Sequence, residues 1–294
     1  MTAQATVHII TDSSCDLSEE LVADLGITVV PLEIRFGTST FVDRVELTTA
    51  EFWDRCRTSD ELPSTAAPAP GAFVEAYRQA AAAGATEVVV ITLSGDLSAT
   101  IEAAQQAVSA IDNEIECHVV DSRSVSAGLG LLVIDAAERA ATGARAGDIV
   151  TAVHDAAART QVHAVLDTLE NLRKGGRIGA ARSLLGSVLS IKPLITVTDG
   201  AVLDAGKQRT RSRALAHLVN LVAETADRIE RIAVMHADCS DVDDFVARIA
   251  PLVDAEPMVS LIGPVVGAHA GAGTIGVVFT ERGSADSAAA GPRE

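Results

Sequence analysis

The sequence predicts an α/β protein of two domains. Three observations carry that prediction. Apolar, β-branched runs alternate with helix-period segments through the first half, as βαβ units require. Hydroxyl-rich turns follow three of those runs, at Thr11–Ser14, Ser94–Thr100 and Asp121–Ser126. In the second half an Asp199-Gly200 pair between two apolar runs marks a hairpin, so that sheet must be mixed. The expected organisation is a parallel-sheet, Rossmann-like domain over residues 1–150 and an α/β domain with a mixed sheet over 151–281. The small, polar stretch 282–294 is expected to be a disordered tail. The domain break is placed near residues 145–160, where Thr142–Asp148 interrupts the apolar pattern.

Taken in order, Val7–Ile10 is a strand, and Asp16 with Glu19 signals a helix whose Leu17, Leu21 and Leu25 share one face until Gly26 stops it. Ile27–Ile34 is the next strand, with Pro31 marking an edge or an end. Thr48 and Glu51 open a short helix carrying Phe52 and Trp53. Leu62–Pro70 holds three prolines and is expected to be irregular. Helix 71–83, strand 87–93, a helix ending at Ile111, strand 117–121 and helix 126–141 complete the first half. The second half reads as helix 147–159, strand 162–167, helix 180–189, the hairpin 193–203, helix 213–226, strand 231–236 and a helix from Ser240 to Leu252. Two closing strands, Val259–Val266 and Ile275–Phe279, flank His269.

Composition narrows the partners. A formal charge of −17 argues against nucleic acid, which needs clustered Lys and Arg, and against tight binding to an anionic membrane surface. Aromatic residues make up only 3% of the chain, so any apolar cavity is expected to have aliphatic walls, suited to a flexible hydrocarbon. The cysteines at 15, 56, 117 and 239 have no metal-ligand spacing and suggest no framework of disulfides. With no basic-then-apolar start and no run long enough to span a bilayer, the expected compartment is the cytoplasm.

Candidate chemistry clusters after the strands, because ligands of parallel sheets sit at the strands' carboxyl ends. Ser98 and Thr100 stand where a helix begins, a place that suits a carboxylate or phosphate but equally suits ordinary helix capping. His269 lies in Gly267-Ala268-His269-Ala270-Gly271-Ala272-Gly273, where small residues allow close approach of backbone or ligand. By spacing alone it is either a core histidine or a ligand contact. His163 and His236, on apolar strands, read as structural, and the many carboxylates read as solvated helix faces. Arg173-Lys174-Gly175-Gly176-Arg177 and the stretch Lys207, Arg209, Arg211, Arg213 are basic patches on an acidic chain. They suggest a face for an acidic or phosphate-bearing partner, or helix C-capping at the first. A small α/β hydrolase or phosphatase using the hydroxyl-rich edge and His269 is the alternative. It lacks a nucleophile elbow, and neither a P-loop nor a dinucleotide fingerprint is present.

These motifs in this order resemble the DegV family of fatty-acid-binding proteins, subunits of the bacterial fatty acid kinase system. The resemblance runs from Val7 to Phe279 through "TDSSCDL" (11–17), the Pro-Ser-Thr loop (63–70), "SGDLSAT" (94–100), "VDS" (120–122), "LENLRKGGRI" (169–178), "LSIKPLITVTDG" (189–200), "KQRT" (207–210) and the His269 segment. It implies a carrier without a cofactor or metal of its own. A long-chain fatty acid lies in a tunnel between the two domains, and its carboxylate is presented to a separate ATP-binding kinase that makes an acyl phosphate, a phospholipid precursor. On this resemblance Thr65, Ser98 and His269 hold the carboxylate, while Arg177 and Arg209 face the kinase or the phosphate. The sequence departs from the family at Ala66 and Ala67, where Ser-Gln is usual, at Ala99 for glycine, and at Ala272 for proline. These changes remove two polar side chains and add one methyl beside the carboxylate positions. A ligand-free scaffolding role is the reading they keep open.

Overall fold

The computed structural model describes residues 6–59, 61–112, 114–185 and 191–283. In the first half the chain forms β1 (Val7–Asp12), α1 (Glu19–Asp24), β2 (Thr28–Val30), β3 (Glu33–Phe36), β4 (Ser39–Val42), α2 (Thr49–Thr58), β5 (Ser64–Ala66), α3 (Pro70–Ala82), β6 (Glu87–Thr92), α4 (Thr100–Ala110), β7 (Glu116–Asp121) and α5 (Ala127–Ala141). The second half forms α6 (Ala146–Arg159), β8 (Thr160–Val165), α7 (Glu170–Lys174), β9 (Lys192–Thr198), β10 (Ala201–Gln208), α8 (Arg211–Thr225), β11 (Ile229–His236), α9 (Val242–Ile249), β12 (Met258–Leu261), α10 (Pro264–Ala270) and β13 (Ile275–Glu281).

The α/β architecture follows the sequence pattern. Strands β2-β1-β6-β7 make a parallel four-stranded sheet, and β10-β9-β8-β13-β11-β12 a mixed six-stranded one. Strand β6 shows why helices must cover both faces of the first sheet. Its Val88 and Val90 pack against α3 and α4, with Phe73, Tyr77 and Ala104. Val89 and Ile91 point the other way, into α5 and α6, with Leu129, Val133 and Ile149. The second sheet packs α8 and α9 on one face, through Leu218, Val222 and Phe245. Its other face, with Val162, Ala164, Ile195, Val197 and Met235, turns toward a third sheet, β4-β3-β5, and toward α2 and α10. Among the described residues no helix is long and apolar enough to cross a membrane.

Several local expectations are corrected. The run 27–34 is two strands in two sheets, because Pro31 cannot donate to a ladder and the chain turns there from β2 into β3. The proline-rich loop is not wholly irregular: Ser64–Ala66, between Pro63 and Pro68, pairs antiparallel with β3, Thr65 opposite Ile34. The run 259–266 is a strand only to Leu261. Pro264 then starts α10, since a proline at the first helical position loses no hydrogen bond. His269 therefore sits in the last turn of a helix. The cap of α1 is Ser18, whose hydroxyl accepts from Leu21 N, so Asp16 does not cap it. At α4 the cap position is Ala99, with no side-chain bond. Helix 180–189 is a 3-10 turn over Gly179–Leu184, and its residues 186–189 lie outside the described residues, as does the tail beyond Gly283.

Helix α10 is held by unusually close packing. A Cβ on Gly267 would fall 2.7 Å from the Phe52 ring and 2.8 Å from that of Trp53. Gly267→Ala gains about 1 kcal/mol of helix propensity, but overpacking two buried aromatic rings costs about 1–3 kcal/mol. The steric effect is expected to win, and urea denaturation should show a lower midpoint. An unchanged or raised midpoint contradicts this packing.

Candidate ligand-binding site

The face of the six-stranded sheet turned toward α10 forms the floor of a cavity. Val162 and Ala164 of β8, Ile195 and Val197 of β9, Val202 of β10 and Met235 of β11 line it. Strand alternation puts all six on one side, while neighbours such as Val165 and Val234 serve the core beneath. Leu32, Ile262 and Val265 face them from the other wall, and Leu93, Leu97 and Val125 enter from the first half of the chain. The space amounts to about 770 Å³ with its mouth included, a slot between the sheet and the opposing wall. Its apolar walls are aliphatic, with no Phe, Tyr or Trp among the lining residues.

The polar lining residues include Thr65, Ser98, His269 and Arg177, so four of the five sequence candidates reach one cavity. Thr65 comes from β5, Ser98 from the turn before α4, and His269 from the end of α10. Thr65 Oγ1 and His269 Nε2 are 2.8 Å apart. Ser98 Oγ lies 2.9 Å from Thr100 Oγ1. Arg177 donates from Nε to Leu97 O (3.0 Å) and from Nη1 to Gly175 O (2.6 Å), tying the Ser98 turn to the turn after α7. Arg209 does not line the cavity; it is exposed between β10 and α8. Arg211, of the same basic stretch, is a structural clamp, bonded through Nε and Nη2 to Asp241 at 2.6 and 2.8 Å. Ala99 and Ala272 are exposed.

Residues the sequence did not single out hold this end in place. Helix α10 is fixed by Trp53 Nε1 donating to Ile262 O (2.9 Å), by Gly263 N donating to Asp16 Oδ1 (3.0 Å), and by Asn171 Nδ2 donating to Ala268 O (3.2 Å). Gly175 gives the imidazole its room: a Cβ there would stand 2.3 Å from His269 Nδ1. Asn171 and Gly175 both lie in "LENLRKGGRI", but nothing in one sequence says that its asparagine faces a helix a hundred residues away. Asp12, Asp16 and Asp43 are buried, contrary to the expectation of solvated carboxylates. Asp12 accepts from Ser14 N (3.0 Å) and Leu93 N (2.8 Å), and Asp16 Oδ2 from Ser126 Oγ (2.6 Å). The hydroxyl-rich turns do converge, as the strand pattern predicts: Leu93 N bonds Asp12, and Ser94 N donates to Ser124 O (2.9 Å).

Burial, and then the nearby Arg177, push the His269 imidazole down to about 4, so it is neutral across the physiological range. With its proton on Nε2 it donates to Thr65 Oγ1 and leaves the threonine hydroxyl free to donate to a ligand oxygen. Such an end suits an acceptor such as a carboxylate. Ser98 pairs with Thr100 rather than with the imidazole, and His269 Nδ1 has no hydrogen-bond partner among the described residues. His163 is stacked on Phe279, and His236 Nδ1 accepts from Cys239 N, so both are structural. One group with the donors for a cation, Glu87, Glu116 and His118, lies at the opposite end of β6 and β7 from Ser94 and Ser98.

Fold and site together define an α/β protein with an aliphatic slot walled by both halves of the chain and ended by hydroxyls and a neutral imidazole, with the Arg177 guanidinium beside them. The model of the family described as "Uncharacterised protein, DegV family" matches residues 6–282. The chain belongs to the DegV family. It is 36% identical over 282 residues to a DegV domain-containing protein of Streptomyces coelicolor, covering 94% of this chain and 99% of that one. Among solved structures it is similar to a DegV family protein from Thermus thermophilus, described for its fatty acid binding (30% identity, TM-score 0.86, 94% of this chain and all of that one). It is also similar to DegV of Bacillus subtilis, described as a fatty acid binding protein (26% identity, TM-score 0.86, 95% of this chain and all of that one).

The depressed imidazoles set a pH dependence of stability. An unfolded histidine titrates near 6.5, whereas folded His269 and His163 both titrate near 4. Between those values each unfolded histidine binds more protons, so the histidines' share of stability falls as pH drops from about 6.5 toward 4, while burial of Asp16 and Asp43, pushed up to about 7 and about 6, acts the other way. His269→Gln removes one share of the fall, so on going from pH 7 to 4.5 the variant should lose less stability, or gain more, than the parent. Denaturation at the two pH values measures it, and an identical change in both proteins contradicts the buried, neutral His269.

Proposed function

We propose that this protein binds one long-chain fatty acid in the slot, with its carboxylate held by Thr65, Ser98 and His269, and presents it to a separate ATP-dependent kinase. The observation that carries the reading is a cavity, aliphatic along its walls, that ends at a hydroxyl–imidazole pair. The fatty-acid-binding descriptions of the Thermus and Bacillus relatives support the ligand class. Burying hydrocarbon is worth about 0.8 kcal/mol per CH₂, so some fourteen methylenes give on the order of 11 kcal/mol gross. Immobilisation and opening subtract several kcal/mol. The tail therefore supplies the affinity, and the head group need only be oriented.

Neutral donors suit a substrate that must react elsewhere. A salt bridge to the carboxylate would hold it back from phosphorylation, whereas hydroxyls and a neutral imidazole orient it with less attraction to overcome. Arg177, beside the polar end with its guanidinium on two backbone carbonyls, and Arg209, exposed after β10, are the cations proposed to meet the kinase or the transferred phosphoryl group. The need for ATP and a partner kinase places this activity in the cytoplasm.

Protein purified without detergent should release fatty acid on denaturing extraction, read by mass spectrometry. Lipid-free extracts from repeated preparations, together with no uptake of added oleate, would sink the reading. Ala164→Phe, which fills the floor of the slot, should lower oleate affinity at least tenfold. Thr65→Ala with Ser98→Ala should leave most tail affinity but slow acyl-phosphate formation by an added fatty acid kinase at least tenfold. Unchanged turnover in that double variant removes those hydroxyls from the site.

A further inference from the structure

The three segments that meet at Asp16 come from different parts of the chain. Its Oδ2 lies 2.6 Å from Ser126 Oγ, and Ser126 lines the slot. Its Oδ1 accepts from Gly263 N at 3.0 Å, the residue that caps α10. Its carbonyl accepts from Ser260 Oγ at 2.7 Å, at the end of β12. A Cβ on Gly263 would stand 2.8 Å from Asp16 Oδ1, so a glycine is what lets the carboxyl reach the helix end. Asp16 itself is in a left-handed conformation (φ 51°), a strained arrangement that the surrounding bonds must hold. One carboxyl group thus joins the wall of the slot to the helix that carries His269.

We infer that Asp16 is a positioning residue for His269: its carboxyl latches the start of α10 against Ser126, and the latch is closed in the protonated form and loosened by ionisation. This rests on the fatty-acid reading of the slot for its functional meaning, though the latch itself can be tested without a ligand.

The proton states differ in how they tolerate burial. In the acid form Oδ1 accepts from Gly263 N and the acid hydroxyl donates to Ser126 Oγ, so both bonds are kept without a buried charge. In the carboxylate form Ser126 donates instead, but a charge is now held out of water. Burial dominates and pushes Asp16 up to about 7. A water-exposed carboxylate ionises near 4, so the closed arrangement holds the proton more tightly than an opened one. The closed-to-open ratio then falls by up to tenfold for each pH unit between about 4 and 7, and levels off above 7, where both arrangements are ionised. A polar crevice beside Asp16, bordered by Arg44, Glu19, Thr48 and Ser260, is the path by which water reaches it.

The other charges around Asp16 are few. Arg44, after β4, favours its ionised form, while Asp43 opposes it. Asp12 and the Cys15 thiol are neighbours on its own segment; the thiol is pushed up to about 12 by burial and stays neutral. Glu19 of α1 borders the crevice. Strand β12 has no ionisable side chain, and α10 has only His269, at its far end. The start of α5, Ala127–Gly130, has none.

The test compares the full chain with Asp16→Asn and Asp16→Ala. Asparagine accepts from Gly263 and donates to Ser126 as the protonated acid does. Hydrogen exchange of the amides of 264–270, corrected for the intrinsic rate, reads the opening of α10 from pH 5 to 9 without ligand. The expected result is opening that rises by up to tenfold per unit from pH 5 to about 7 and levels off above it in the parent, no such rise in Asp16→Asn, and raised opening at every pH in Asp16→Ala. Trp53, the single tryptophan, bonded to Ile262 O beside Gly263, gives a parallel emission signal. Equal pH dependence in the parent and Asp16→Asn would overturn the latch. Should Asp16→Ala not fold, Ser126→Ala takes its place and should also raise opening. Laurate affinity is read on the same proteins: a several-fold loss from pH 5.5 to 7.5 in the parent, absent in Asp16→Asn, links the latch to binding, and an equal loss in both overturns that link. If the parent takes up no laurate, the fatty-acid reading fails while exchange still decides the latch.

Discussion

A hydrogen bond between Thr65 and His269, two side chains 204 residues apart, is the contact on which the site depends. Each partner is useful only because something else holds it. Thr65 lies on a three-residue strand that would not persist alone and is ordered by its ladder with β3. His269 lies at the end of a seven-residue helix, too short to be stable on propensity. Trp53, Asp16 and Asn171 supply the order that α10 lacks. Buried polar groups must be bonded, and here that requirement knits the third sheet, the Asp16 turn and the α7 turn around one short helix.

The division of labour in the cavity follows from the two kinds of wall. Sheet residues on β8, β9, β10 and β11 supply a smooth aliphatic surface, because strand alternation delivers side chains to one face in register. Loops and helix ends supply the polar groups, because only there are side chains free of the ladder and close to unpaired backbone. The aliphatic floor of the cavity is thus carried by the sheet, and its polar end by loops and helix ends.

Much of this was legible in the sequence. The alternation of apolar runs gave the parallel sheet, and Asp199-Gly200 gave the hairpin of the second. The low aromatic content anticipated the aliphatic walls. Thr65, Ser98, His269 and Arg177 were named on family resemblance, and the structure brings them to one cavity. What stayed hidden has a common cause. The burial of Asp12, Asp16 and Asp43 depends on partners such as Leu93, Ser126 and Gly263, which are distant in sequence and carry no local signal. Asp16 followed by Glu19 looked like a helix start, a local pattern overridden by tertiary bonding. The helix over Pro264–Ala270 was missed because its apolar, β-branched first residues share the period-free look of a buried strand. Arg209, drawn in by resemblance, lies outside the slot.

The position of β13 has a consequence for how the protein comes into being. The last strand among the described residues is not at an edge of the six-stranded sheet but in its middle, between β8 and β11. Until it arrives, β8 and β11 present open edges to each other's absence, and the floor of the slot is two separate ribbons. The floor of the cavity is therefore completed in one late step, by the insertion of a strand made after nearly every other described element, and slow, long-range closure of this kind is what high contact order predicts.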